Sequence, residues 1–274
     1  MPLRPPIPYF GGKPCMTKKL LPLFPPHKIY VEVFGGVGAL LFAKSRSPIE
    51  VYNDRDADLV NFMQVLRDHQ RFPDFYHRAC LSPYSRNAYQ FCKDHLNDDP
   101  DPVERARRFF VLARFSFSGH VDSCGVCVSE SSCGMIQTAS AYQSVLGILP
   151  RLHERFTSVL IENKDFRTLI HDFDTKDAFF YLDPPYLLET RHSGSYRYEM
   201  TTADHHDLVE ILIHLKGKAI LSGYQSDLYD SLGWRKHSWL KSCNAAGRTK
   251  SSGLTGEGII EKLQPRTECV WMNY

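Results

Sequence analysis

The sequence lacks the features that would assign it to a membrane, exported or repeat protein. No apolar run reaches the ~18 residues that a membrane-spanning helix needs, so we expect no membrane partner. Residues 1–6 lack the apolar stretch of a signal peptide. Eight cysteines without an export signal indicate reduced thiols and a cytoplasmic protein. Repeats and low-complexity tracts are also absent from the chain.

The chain also has little net charge. Its 274 residues carry a formal charge of +2, with 23% charged and 43% hydrophobic residues. These are ordinary values for a globular protein that buries a substantial core, as one domain or one domain with an insertion. Because the overall charge gives no argument for nucleic acid binding, a DNA-binding surface would have to come from local clustering of arginines.

A glycine-rich turn follows the first predicted strand, but the dinucleotide-binding fingerprint is missing. The strand covers residues 30–34, the glycines lie within 35–38, and a predicted helix follows at 39–44. Such a turn lets backbone N–H groups approach a ligand closely. The absence of G-x-G-x-x-G disfavours a nicotinamide site. A second predicted strand, 49–54, ends in Asp54, an acid placed to accept hydrogen bonds from a ribose diol.

The most informative motif present is Asp183-Pro184-Pro185-Tyr186, which follows a buried strand predicted at 178–182. Ligands of an open α/β sheet bind beyond the carboxyl ends of its strands. The Asp183 carboxylate and the Pro184 carbonyl are suited to accept the two N–H bonds of an exocyclic amine. The prolines restrict the backbone, and Tyr186 is suited to stack on a base. The motif therefore indicates a site for a flat base, with a simple Pro-Pro turn as the alternative.

Four motifs in chain order make this interpretation specific. They are Tyr-Phe-Gly-Gly-Lys at 9–13, Glu-Val-Phe-Gly-Gly-Val-Gly at 32–38, Asn-Asp at 53–54 and Asp-Pro-Pro-Tyr at 183–186. This order resembles the D12 class of DNA adenine-N6 methyltransferases, the Dam-like family. The resemblance also takes in Asn-Lys-Asp-Phe at 163–166, the segment 196–205 and the closing strand 266–274. It covers the chain from residue 4 to its end, except for a divergent middle.

The resemblance implies methyl transfer from S-adenosylmethionine to adenine N6 in double-stranded DNA, with no metal ion. Because the adenine is out of reach within the duplex, it must be flipped out. The residues expected to act on the adenine are Asp183, Pro184, Pro185 and Tyr186. The residues expected to contact the cofactor are Tyr9, Lys13, Glu32, Phe34, Gly35, Gly36, Gly38, Asp54, Asp165, Phe166 and Asp183.

The predicted fold is a mainly parallel α/β sheet with helices on both faces, a Rossmann-like methyltransferase core. Predicted strands at 159–162, 178–182 and 218–222 alternate with helices, one of them at 204–215, as expected for parallel sheets. We predict a discontinuous cofactor-binding catalytic domain, residues 1–69 and 158–274. The inserted residues 70–157 are expected to be mostly helical and, by the resemblance, to form the target-recognition domain.

The insert carries the local basic charge. Residues 104–114 predict an amphipathic helix on which Arg107 and Arg114 share a face. We expect these arginines to contact DNA phosphates, with a solvated face over an apolar core as the alternative. Residues expected to read DNA in the following loop are Ser116, Ser118 and His120. The family's Asn-rich segment that reads GATC is not recognisable, so a GATC target is unsupported.

A cysteine-containing loop follows, with the spacing H-x3-C-x2-C-x5-C from His120 through Cys124, Cys127 and Cys133. These residues could form a tetrahedral zinc site, which is the alternative, but the usual two-pair spacing is absent, so we expect free thiols and no metal. His205 and His206 fall in the first turn of a predicted helix, where we expect solvated rather than catalytic side chains.

Three alternative functions remain at this stage. A cytosine-N4 methyltransferase uses the same amine geometry but more often carries Ser in place of Asp183. A methylase of glutamine side chains or RNA tends to carry Asn there and lacks the Tyr-Phe-Gly-Gly-Lys motif. A non-catalytic DNA-binding relative is disfavoured by the intact motif at 183–186. The sequence does not determine the recognition sequence or whether a companion restriction endonuclease exists. It also leaves open a bacterial or phage origin and a monomer or weak dimer.

Overall fold

The computed structural model describes residues 3–8, 16–117, 120–124, 137–190, 196–242 and 265–274. The chain divides into two compact units, Met1–Asp165 and Phe166–Tyr274. Both units combine helices with strands, and each unit contains parallel strand pairs. The predicted fold class, a mainly parallel α/β sheet of Rossmann-like type, is confirmed.

The first unit contains three parallel strands and most of the helices that the structure describes. In chain order its elements are α1 (Thr17–Leu20), a 3-10 turn (Leu21–Leu23), β1 (Ile29–Glu32), α2 (Ala39–Ala43), β2 (Ile49–Asn53), α3 (Ala57–Arg67), α4 (Phe72–Cys80), α5 (Arg86–Asp94), α6 (Pro102–Phe115), β3 (Ser116–Phe117), β4 (His120–Cys124), α7 (Gln137–Leu146), α8 (Leu149–Phe156) and β5 (Leu160–Glu162). Strand β2 lies between β1 and β5 and is parallel to both. Strands β3 and β4 form a separate antiparallel pair.

An aromatic cluster joins the helices of the first unit. Phe62 of α3 stacks on Phe110 of α6 with ring centroids 5.8 Å apart, and Phe75 of α4 meets Phe62 edge-on at 5.8 Å. All three side chains are buried. Their burial follows from the 3.6-residue apolar spacing of these helices. The helices of residues 70–157 therefore share an apolar core with α3, and a separate recognition domain remains a prediction.

A buried ion pair anchors the end of that segment to the strands. Arg155 of α8 donates to both carboxylate oxygens of Glu50 on β2, at 2.5 and 2.8 Å. Lys44 donates to the same carboxylate at 2.5 Å. Since an unpaired buried carboxylate is costly, this pairing specifies how α8 packs on β2.

The described part of the second unit contains four strands. Its elements are α9 (Phe166–Phe173), β6 (Ala178–Leu182), a 3-10 turn (Leu188–Thr190), α10 (Thr202–Ile213), β7 (Lys218–Tyr224), α11 (Asp227–Asp230), β8 (Arg235–Ser242) and β9 (Pro265–Met272). Strand β6 is parallel to β7, whereas β9 is antiparallel to both β7 and β8. Every residue of β6 is buried, as its continuous apolar run predicts.

The helix predicted at 204–215 is α10, which begins at Thr202 with Thr201 as its N-cap. The Thr201 hydroxyl accepts from the Asp204 backbone N–H, and the Asp204 carboxylate accepts from the Thr201 N–H. This reciprocal arrangement is a capping box, which satisfies N–H groups that the helix itself leaves unpaired.

One histidine expectation is wrong. His206 is exposed as expected, but His205 is only 1% exposed. Its Nδ1 is hydrogen-bonded to the Tyr229 hydroxyl at 2.7 Å. The error arises because a position in the first turn says nothing about which side of the helix packs against α11.

Two further observations concern membrane-spanning helices and cysteines in the described part of the chain. None of its helices combines the length and apolar character that crossing a bilayer requires. Cys80, Cys92 and Cys269 are free thiols.

Candidate active site

The glycine turn between β1 and α2 is built so that only glycine fits. The Gly35 N–H donates to the Asn53 carbonyl at 2.7 Å, and a Cβ at this position would lie 2.3 Å from Tyr52 Cε2. Gly36 and Gly38 have φ of +49° and +66°, a region that other residues rarely adopt. The turn thus has no side chain at three of its four positions, and the Gly35 and Gly36 N–H groups are bonded within the chain, to the Asn53 carbonyl and to Asp54.

The Asp54 carboxylate shapes this turn. Oδ2 accepts from the Gly36 N–H and Oδ1 accepts from the Asp56 N–H, both at 2.8 Å. Burial raises the pKa of Asp54 to about 6, although these N–H donors act in the opposite direction. The Arg55 N–H is a third donor to this carboxylate. A carboxylate has about four acceptor positions, so three bonds leave one for a ligand. The sequence predicted a ligand-binding acid but not its role in holding the turn.

Asn53 is a further residue at this strand end, and its role was not anticipated. Its side-chain amide donates to the Val33 and Lys164 carbonyls at 2.8 and 3.2 Å, and its Oδ1 accepts from the Lys164 N–H at 2.8 Å. Asn163 donates to the Asp54 carbonyl at 2.7 Å. These bonds bring the carboxyl ends of β1, β2 and β5 together. The sequence signal for these contacts was the Asn-Asp motif at 53–54 together with Asn-Lys-Asp at 163–165.

The other residues predicted to bind the cofactor have varied environments. Glu32 at the end of β1 is 2% exposed, and Phe34 beside the turn is half-buried. Asp165 is half-buried at the end of the first unit, and Phe166 is buried at the start of α9 in the second. Tyr9 and Lys13 lie outside the described residues.

In the second unit the Asp-Pro-Pro-Tyr motif follows β6 directly, as predicted. Asp183 is half-buried and Tyr186 is 7% exposed. The Tyr186 hydroxyl donates to Glu268 Oε1 of β9 at 2.6 Å. The Tyr224 ring of β7 meets the Tyr186 ring edge-on, with centroids 4.6 Å apart. The tyrosine of the motif is therefore held at its ring and at its hydroxyl.

Burial and nearby negative charge raise the pKa of two tyrosines in this unit, Tyr186 and Tyr229. Burial, followed by the charges of Asp183 and Glu268, raises the pKa of Tyr186 well above its usual value. Burial and the charge of Asp183 also raise the pKa of Tyr229. Both phenols are thus neutral and able to donate hydrogen bonds at physiological pH.

Comparison with known proteins identifies the family. Residues 9–242 match the family of D12 class N6 adenine-specific DNA methyltransferases. The chain belongs to this family. It is also 24% identical over 207 residues to the modification methylase StsI of Streptococcus sanguinis. That match covers 71% of this chain but only 30% of the relative, so the chain spans less than a third of that protein's length.

The arginines of α6 in this D12 class chain differ in their partners. Arg107 donates to both oxygens of Glu104, at 2.6 and 2.8 Å. Arg114 instead donates to the Ala141 carbonyl at 2.9 Å and contacts no carboxylate in the described part of the chain. Burial lowers the pKa of Arg114. The two arginines were predicted to share a face of α6. Their charge environments differ, because only Arg107 is paired with a carboxylate among the described residues.

The remaining DNA-reading candidates are only partly described. Ser116 is 9% exposed, and its hydroxyl donates to the Ala113 carbonyl at 2.9 Å. The backbone of His120 in β4 pairs with Phe117 of β3, whereas Ser118 lies outside the described residues. The same holds for Cys127, Cys133 and the side chain of Cys124. Among the side chains that are described, no group of three or more metal-ligating residues is arranged around a common point.

Proposed function

We propose that this protein transfers a methyl group from S-adenosylmethionine to the exocyclic N6 of a flipped-out adenine in double-stranded DNA. The observation that carries the proposal is Asp183-Pro184-Pro185-Tyr186, placed directly after the buried strand β6. Membership of the D12 class family supports adenine in DNA as the substrate. A cytoplasmic location in a bacterium or an infected bacterial cell belongs to the same proposal.

The first unit has the features that a cofactor site requires. The crowding at Gly35 and the positive φ of Gly36 leave a backbone surface without side chains, which suits close approach of a ligand. Asp54 retains acceptor capacity for ribose hydroxyls, while Asp165 and Phe166 are proposed to address the cofactor's adenine. When bound, S-adenosylmethionine supplies an electrophilic methyl group on a sulfonium centre.

The second unit would hold the target base. The amine lone pair of adenine is delocalised into the ring, so N6 is a poor nucleophile. The Asp183 carboxylate and the Pro184 carbonyl accept the two N6–H bonds and localise the lone pair on nitrogen. Tyr186 stacks on the base face. Positioning and desolvation then provide most of the rate, and the chemistry requires no covalent intermediate and no cysteine nucleophile.

DNA contact is proposed for α6 and the segment that follows it. Arg105, Arg107 and Arg108 each pair with a carboxylate, whereas Arg114 contacts none among the described residues. A half-buried cation without a carboxylate partner favours an anionic ligand such as a DNA phosphate. We propose phosphate contact for Arg107 and Arg114 and expect the larger effect from Arg114. Ser116, Ser118 and His120 are proposed to act on sequence choice.

A companion restriction endonuclease is part of the proposal. The similar protein of Streptococcus sanguinis is named a modification methylase. If this chain protects its host in the same way, DNA from cells that express it should resist a restriction endonuclease that cuts unmethylated DNA. A monomer or weak dimer is sufficient for this function.

The first prediction tests the reaction itself. Asp183→Ala should lower methyl transfer by about a thousandfold or more, because alignment and lone-pair localisation are both lost. The measurement is tritium transfer from labelled S-adenosylmethionine to long unmethylated genomic DNA, followed by identification of the methylated nucleoside. Its matched control is Asp177→Ala, an exposed aspartate just before β6, which should retain activity.

The nucleoside distinguishes the candidate functions. N6-methyladenine supports the proposal, whereas N4-methylcytosine or label in RNA would replace it with a rival. Near-normal turnover by Asp183→Ala with an unchanged melting temperature would remove the assigned role of Asp183.

A further inference from the structure

The tyrosine of the Asp-Pro-Pro-Tyr motif is hydrogen-bonded to a residue far along the chain. The Tyr186 hydroxyl donates to Glu268 Oε1 at 2.6 Å. Glu268 is 2% exposed and Tyr186 is 7% exposed. A short O–H···O bond to a carboxylate is among the stronger neutral-to-ionised hydrogen bonds. The contact is therefore strong enough to fix where the hydroxyl end of the ring lies.

A second contact comes from the residue directly opposite Glu268. In the antiparallel pair of β7 and β9, Tyr224 is the register partner of Glu268. The Tyr224 and Tyr186 rings lie at 71° to each other with centroids 4.6 Å apart, an edge-to-face arrangement. Residues opposite each other in such a pair project on the same face. One cross-strand pair thus holds both the ring and the hydroxyl of Tyr186.

The burial of Glu268 calls for a specific role. Burying a carboxylate carries a large desolvation penalty, and an apolar side chain usually fills such a position at lower cost. The prolines of the motif limit the backbone of Tyr186, but they leave its side-chain torsions free. The bond to Glu268 and the contact with Tyr224 restrict those torsions.

We infer that Glu268, supported by Tyr224, is a positioning residue that holds the Tyr186 ring in the orientation in which it stacks on the target adenine. The inference rests on the proposed function, because it assumes that Tyr186 stacks on the base. Glu268 acts only through Tyr186 and takes no part in bond making or breaking.

Single-turnover methyl transfer measures this role. With saturating unmethylated genomic DNA and tritiated S-adenosylmethionine, Glu268→Ala should slow the transfer step by about tenfold to a hundredfold, since a misaligned base loses its near-attack geometry. Glu268→Gln keeps an oxygen that accepts from the Tyr186 hydroxyl, so its rate should stay within about threefold of the parent rate. The KM for the cofactor should change by less than about twofold in both variants.

A double-mutant cycle separates positioning from general stability. If Glu268 acts through the hydroxyl, Glu268→Ala should have an effect of less than about twofold in a Tyr186→Phe background. Tyr142→Phe is the matched control, because it removes a buried tyrosine hydrogen bond to the Ala79 carbonyl at 2.8 Å. It should lower the melting temperature without changing the single-turnover rate.

The outcomes are distinct. An unchanged rate in Glu268→Ala, or a full loss that persists in the Tyr186→Phe background, overturns the positioning role while the proposed function stands. A parent protein that places no label on DNA adenine overturns both.

Discussion

Asp54 combines two roles that are usually separated. Its carboxylate accepts from the backbone N–H groups of Gly36 and Asp56, and it is also the acid proposed to bind the cofactor ribose. Burial outweighs these N–H donors and raises the pKa of Asp54 to about 6, so the proposed ribose contact should be sensitive to pH. The pKa of Asp54 is higher in the folded state than in the unfolded state. Its contribution to the free energy of unfolding therefore decreases as pH rises from about 4 to about 6.

The second prediction concerns this carboxylate. Affinity for S-adenosylmethionine should fall as pH drops below about 6, because protonation removes the ionised acceptor. Asp54→Asn should bind about tenfold more weakly near pH 8, and its affinity should be nearly independent of pH. Isothermal titration between about pH 5 and pH 8 measures both effects. Equal pH dependence in the parent and in Asp54→Asn would assign the titration to another group.

At the scale of elements, α10 depends on its first turn. The capping box of Thr201 and Asp204 is reinforced by Arg167 of α9, which donates to Asp204 at 2.5 Å. The hydrogen bond from Arg167 lowers the pKa of Asp204 to about 2. A depressed acid pKa means that this stabilisation is fully present above about pH 4 and is lost as pH falls through about 2.

The third prediction follows from the cap. Thr201→Ala should lower the free energy of unfolding by about 1 kcal/mol, because the Asp204 N–H loses its side-chain acceptor. Thr202→Ala is the control, since Thr202 is exposed within the helix and alanine has higher helix propensity. Urea denaturation of both variants gives the comparison. Equal losses would mean that the cap contributes nothing measurable.

At the scale of the whole molecule, we expect the proposed DNA contact where a cation lacks a carboxylate partner among the described residues. Arg107 is paired with Glu104, three residues earlier on the same helix. Arg114 has a backbone carbonyl as its hydrogen-bond acceptor and contacts no carboxylate among the described residues. It lies in the last turn of α6, next to the segment proposed to read the sequence.

The fourth prediction tests this distribution of charge. Arg114→Ala should weaken binding to all DNA sequences and reduce the salt dependence of log K by about one unit. Arg107→Ala should change the slope less and should lower stability, because it removes the bidentate partner of the half-buried Glu104, which keeps its bond to Arg108. DNA titrations at several salt concentrations, with cofactor affinity as a control, provide the slopes. If neither slope changes, the phosphate contacts lie elsewhere.

Local sequence patterns were sufficient to predict β1, β2, β5, β6, β7 and the position of the Asp-Pro-Pro-Tyr motif, but not β3, β4 or β8. Strand β6 is a continuous apolar run, and the Thr201 cap is defined by neighbours within three residues. These features depend on backbone geometry and on side-chain periods that repeat over a few residues. The order of the motifs then identified the family before any contact was known.

Only the tertiary structure showed the contacts that hold the site together. Glu268 is 82 residues from Tyr186, and Asn53 is 111 residues from Lys164. His205 is buried against Tyr229 for the same reason: its environment depends on an element 24 residues away. No local period encodes such a partner, because which side chains meet depends on how strands pair and how helices pack. The sequence by itself determined the position of the Asp-Pro-Pro-Tyr motif and the family; the tertiary structure decided what holds Tyr186 in place.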